Sequence, residues 1–238
     1  MTQAEELFSQ AEETKGIKIV FWGPSMSGKT TALSIFHAIK KREDPRQVYD
    51  FLKLEDKKTR RTVGFDHAVF GFGKKMGADG HELKYHLFTV PGQDRFKAMR
   101  KVVMQGLDGL VIMINSEKAE WEANKKSLME LFEVVGKEIL DGEIALSMML
   151  NKMDLPTDQR ISSIDVGRLM VEAGVADRLR DTHANLIETS CKDAVEDLKV
   201  HIRSGEQMTP DNRPATISRI IQPIQMIMRE ILVKQLRK

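Results

Sequence analysis

The sequence predicts an α/β fold, a mostly parallel six-stranded sheet with helices on both faces. Short apolar, β-branched runs recur along the chain, amphipathic helical stripes separate most of them, and glycine-rich or polar turns follow their ends. In such open sheets a ligand sits at the carboxyl ends of the strands, so candidate functional residues are sought in those turns. With 238 residues the chain can bury one sizeable core.

Residues 2–13 predict a short helix within an extension over 1–16, because Thr2 and Glu5 have capping-box spacing and Ala4, Leu7, Phe8 and Ala11 form a narrow apolar stripe. That helix either packs on the body or serves as a lid or membrane-surface element. The run GIKIVFW at 16–22 is a buried strand. Behind it Ala32, Ile35, Phe36 and Ile39 recur at helical spacing. The runs at 65–72 and 83–90 flank a glycine- and charge-rich stretch and read as a β-hairpin.

Three further buried strands follow at 109–115, 144–151 and 186–190. The helices between them carry Trp121, Asn124, Leu128, Leu131, Phe132, Val135 and Ile139, then Ile164, Leu169, Met170 and Ala173. Residues 197–214 read as an insertion, either a strand or a short helix followed by a loop. Isoleucines from Ile217 to Ile231 give a broad apolar face to a C-terminal helix over 216–237, with a kink expected at Pro223. That helix either closes the sheet or docks a partner or a membrane surface.

Composition narrows the function classes. There are 37 basic and 35 acidic residues, a balance that argues against nucleic acid as a partner. The single cysteine, Cys191, excludes an internal disulfide and suits a reducing compartment. The acidic start and the lack of an 18-residue apolar run predict a cytoplasmic protein, with membrane contact, myristoylation and prenylation not signalled.

The chemistry lies in the turns. Gly23-Pro24-Ser25-Met26-Ser27-Gly28-Lys29-Thr30, followed by Thr31, has the spacing of a phosphate-binding loop between a strand and a helix. In that pattern backbone N–H groups curl around a phosphate, the lysine reaches its oxygens and the helix N-terminus faces the anion. TVPGQD at 89–94, NKMD at 151–154 and TSCK at 189–192 fall at the ends of later strands.

Together these motifs, in this order, resemble the Ras-like small GTPases over residues 17–192, and TVPGQ together with EAN at 122–124 resembles the MglA branch found in prokaryotes. The resemblance implies a single GTPase domain over 17–238 that binds GTP or GDP with Mg2+ and acts as a switch. It implies that Asp154 accepts the guanine N1–H and exocyclic amine, that Lys152 lies over the base, and that Asn151 ties its loop to the P-loop. Ser190 would brace Asp154, the N–H of Cys191 would meet guanine O6, and Lys192 completes that loop. Lys29 would neutralise the phosphates, Thr30 would ligate Mg2+, and Thr62 would be a second, switch-dependent ligand, with Thr59 as its rival.

By the same resemblance Gly92 would sense the γ-phosphate and Gln93 would orient the attacking water. Arg61 is either an arginine finger supplied in cis or a solvated charge in a basic run. A Roadblock-type GTPase-activating partner and roles in polarity, motility or membrane-linked organisation are implied at the same level. The departure is Thr89, where most of the family has an aspartate that holds Mg2+ through water; a threonine supplies no charge there. Two alternatives stay open: a GTP-binding scaffold with negligible hydrolysis and an ATP-dependent P-loop enzyme.

Overall fold

The computed structural model describes residues 16–53, 65–75, 82–92 and 96–236. The expected helix at 2–13, together with Thr59, Arg61, Thr62 and Gln93, lies outside the described residues. The strands are β1 (Gly16–Trp22), β2 (Val48–Leu52), β3 (Asp66–Lys75), β4 (Glu82–Thr89), β5 (Gly109–Asn115), β6 (Ala145–Asn151) and β7 (Ile187–Glu188). The helices are α1 (Lys29–Glu43), α2 (Lys97–Val103), α3 (Trp121–Leu140), α4 (Ser163–Glu172), α5 (Ala176–Ala184), α6 (Cys191–Ser204) and α7 (Ala215–Leu236).

The strands form one sheet in the order β2-β3-β4-β1-β5-β6-β7. Strand β3 is antiparallel to both its neighbours, and the other pairings are parallel. This corrects the expected count of six to seven. The additional strand, β2, is a sheet-edge segment whose residues are half-buried or exposed, so neither an apolar run nor a clean alternation marks it. The expected β3–β4 hairpin is present, with Asp66 directly opposite Thr89.

Central strands are apolar on both sides because helices cover both faces. From β1, Ile17, Ile19 and Phe21 enter the core under α1, α6 and α7, while Val20 and Trp22 enter the one under α2, α3, α4 and α5. Strand β5 divides in the same way, Val111 and Met113 against Leu110, Ile112 and Ile114. On α4 the buried stripe is Val166, Leu169 and Met170; Ile164, which the sequence places in that stripe, is exposed.

Residues 197–204 are helical, the second half of α6 rather than an inserted strand. The alternation of Leu198, Val200 and Ile202 misleads because only Leu198 is buried, on a face with Ala194 and His201. Helix α7 closes the sheet: Ile217, Ile220, Ile221, Ile224, Ile227 and Ile231 are buried, and the helix continues through Pro223. At Gly109 a β-carbon would lie 2.3 Å from Ile227 Cγ2, so glycine permits α7 to seat this close to β5. Among the described residues no helix is long and apolar enough to cross a membrane.

Candidate functional site

The ends of β1, β4, β6 and β7 converge on the loop between β1 and α1. Its backbone reverses through Gly28, whose φ of 104° favours glycine, and that residue caps α1 without a side-chain hydrogen bond or an acidic residue in the first turn. Uncapped N–H groups and the positive end of the helix dipole therefore point at the loop's concave side, an arrangement that attracts an anion. Lys29 Nζ donates to the carbonyls of Gly23 at 2.8 Å and Pro24 at 2.6 Å, and lies 3.4 Å from Ser27 Oγ. Burial, and then the nearby Arg100 cation, hold its ammonium down to about 7 against the opposing pull of Asp66. A bound phosphate would restore the charge. Ser25 and Thr31 are half-buried beside this loop, while Met26 is exposed.

Asn151, at the end of β6, is the bolt between two loops. Its Nδ2 donates to the Ser27 carbonyl at 2.8 Å, and its Oδ1 accepts from the N–H of Cys191 at 3.0 Å and from Thr189 Oγ1 at 3.3 Å. The Cys191 N–H, assigned by resemblance to a base oxygen, is thus directed at Asn151. Ser190 caps α6 and donates from Oγ to Asp154 Oδ1 at 2.9 Å, while Lys192 Nζ stands 3.6 Å from Asp154 Oδ2. A braced carboxylate of this kind can accept two parallel N–H donors from a planar ligand. Lys152 adopts a φ of 71° and its Nζ pairs with Glu117 at 3.2 Å. Cys191 is buried, and that burial pushes its thiol up to about 12, so it fills space rather than reacting.

At the other side of the loop, Gly92 presses on the P-loop so closely that a β-carbon would sit 2.2 Å from the Ser25 nitrogen. Thr30 Oγ1 donates to Asp66 Oδ2 at 2.6 Å, and Thr89 Oγ1 donates to the same oxygen at 2.6 Å.

For three contributors the sequence gives no sign of the partner that each one holds. Asp66 ends the stretch that carries Thr62 and needs the hairpin register to reach Thr89. Arg100 donates to the Pro91 carbonyl at 3.0 Å and pairs with Glu130 at 2.7 Å, fixing the chain just before Gly92. Asn124 brackets Asn115, accepting from its N–H at 2.9 Å and donating to its carbonyl at 2.8 Å, which steadies the end of β5. Nothing in the spacing of Arg100 marks it apart from an ordinary helix residue, and Asn124, though part of the EAN at 122–124, shows no sign in the sequence of its bonds to β5.

A β1–loop–α1 unit that presents backbone N–H groups and a buried lysine at the carboxyl edge of a parallel sheet defines the class of P-loop α/β proteins. A model of the Ras family matches residues 18–203, and the chain belongs to that family of small GTPases. It is 34% identical over 140 residues to the mutual gliding-motility protein MglA of Myxococcus xanthus, covering 58% of this chain and 68% of that protein. It is 24% identical over 134 residues to the GTP-binding protein yptV2 of Volvox carteri, covering 56% of this chain and about half, 54%, of that protein. The Ras-related protein RABD1 of Arabidopsis thaliana is 22% identical over 175 residues, 69% of this chain and 77% of its own length.

Proposed function

We propose that the protein is a molecular switch that binds guanine nucleotide with Mg2+ and hydrolyses GTP to GDP and inorganic phosphate. The observation that carries this reading is the continuous bonding from Asp154 through Ser190 and from Cys191 through Asn151 to Ser27, which joins a base-reading loop to a phosphate-holding one. Asp154 accepts the two N–H groups of guanine's edge, and adenine offers no such pair, which disfavours the ATP-dependent alternative. Lys29, the P-loop N–H groups and the start of α1 compensate the phosphate charge.

Hard oxygen donors suit Mg2+, which takes few protein ligands when phosphates and water supply the rest, and the Thr30 hydroxyl beside the Asp66 carboxylate fits that preference. When bound, Mg2+ neutralises charge on the β- and γ-phosphate oxygens. Thr62 joins Thr30 in holding it in the GTP state, Gly92 reports the γ-phosphate, and Gln93 orients the attacking water. Arg61 stabilises transition-state charge from within the chain or remains a solvated cation.

MglA is by its name a gliding-motility protein, and we extend to this chain a role in motility or cell polarity, with a Roadblock-type activating partner and a cytoplasmic setting. Extraction of the co-purifying nucleotide, followed by single-turnover phosphate release, tests the reading. GDP or GTP in the extract is expected, with release slowed about 100-fold or more by Gln93→Ala. ATP or ADP in the extract would restore the enzyme alternative, and nucleotide binding with no phosphate release would leave a scaffold. Arg61→Ala separates the finger from the solvated charge: slowed release favours the first, an unchanged rate the second.

A further inference from the structure

The missing charge at position 89 is present one strand away. Asp66 faces Thr89 across the β3–β4 ladder. Its N–H donates to Thr89 Oγ1 at 3.1 Å, and Thr89 Oγ1 donates back to Asp66 Oδ2 at 2.6 Å. Both residues are 0% exposed. The same Oδ2 takes the hydroxyl hydrogen of Thr30 at 2.6 Å. A hydroxyl that gives its one hydrogen to a carboxylate keeps its oxygen lone pairs for a cation, and the carboxylate's charge makes that oxygen a better donor. Burying a carboxylate is costly unless opposite charge compensates it; Lys29 supplies part of that charge, and a cation held at the Thr30 hydroxyl would supply more.

We propose that Asp66 supplies the carboxylate of the Mg2+ site, replacing across the hairpin the charge that Thr89 lacks; this rests on the Mg2+–nucleotide reading of the site. Asp66 stands four residues beyond Thr62 in one stretch of chain. The threonine and the carboxylate proposed for the metal would then come from one stretch of the sequence, instead of being divided between two segments.

The test is Mn2+ binding by electron paramagnetic resonance to the GDP-loaded protein, beside GDP affinity in excess EDTA. Asp66→Asn is expected to weaken Mn2+ binding about 10- to 100-fold, a larger factor than any change in its GDP affinity in EDTA, which Asp66 reaches only through the charge on Lys29. The exchange Asp66→Thr with Thr89→Asp keeps one hydroxyl and one carboxylate on the facing pair, and it is expected to retain Mn2+ affinity within about fivefold. If Asp66→Asn does not fold, the exchange variant decides the matter by itself. Wild-type Mn2+ affinity in Asp66→Asn, with Thr30→Ala losing it, overturns the assignment. So does a folded exchange variant that binds GDP in EDTA but has lost Mn2+. Wild-type protein that binds no GDP with or without divalent metal overturns the nucleotide reading itself and the assignment with it.

Discussion

At the end of β6, Asn151 reaches across 124 residues of sequence to the Ser27 carbonyl, and every residue in that network falls in a motif. On the opposite side of the P-loop, Thr30 meets Asp66, a carboxylate that arrives from the antiparallel strand β3 and belongs to none. The two halves of the site differ in how they encode their chemistry. Base-side roles are tied to loop geometry, where a residue's offset from the strand end fixes its direction. A buried charge needs only to reach one point in space, so it can come from either of two facing strands.

The largest effect that would break this contrast belongs to the base side. Asp154→Ala should lower GDP affinity about 10³-fold, because two guanine donors lose their acceptor in a partly buried site, and equilibrium binding measures it. Retained affinity would remove the base-reading loop from the comparison. Next comes the joint between the halves. A β-carbon at Gly28 would lie 2.2 Å from Asn151 Nδ2, on a backbone with φ of 104°. Gly28→Ala should therefore cost about 2–3 kcal/mol in denaturant unfolding of the nucleotide-free protein.

The smallest effect is a pH dependence on the phosphate side. Free Lys29 titrates near 7, and a bound polyphosphate raises its pKa, so binding takes up a proton wherever pH exceeds about 7. GDP affinity in EDTA should then fall by up to tenfold per pH unit above 7, and stay level below it. Calorimetry in buffers of different ionisation enthalpy measures the proton uptake directly. Lys29→Arg should flatten the profile, since a guanidinium keeps its charge throughout.

The P-loop, the NKMD turn and the strands β1, β3, β4, β5 and β6 were legible because each combines an apolar run with a turn of fixed spacing. Strand β2 was not, because its place on the sheet edge asks little of its side chains. Between a strand and a short helix the sequence left 197–204 open, because exposed Val200 and Ile202 imitate a strand's alternation. Asp66 was visible as a residue but not as a partner of Thr89, since register between β3 and β4 emerges only when the hairpin is assembled. Arg100 and Asn124 act through the ends of neighbouring strands, a relation that no local pattern carries.

The family likeness ends at residue 203, yet the hydrophobic interior does not. Six isoleucines of α7 form the outer wall over Val111, Met113, Ala145 and Met149. A fragment trimmed to the family's border would carry every motif needed for nucleotide and would still expose a strip of greasy sheet to water. In laboratory use the final helix is thus part of the folding unit, and its outer polar side is the better place to attach a label or a surface.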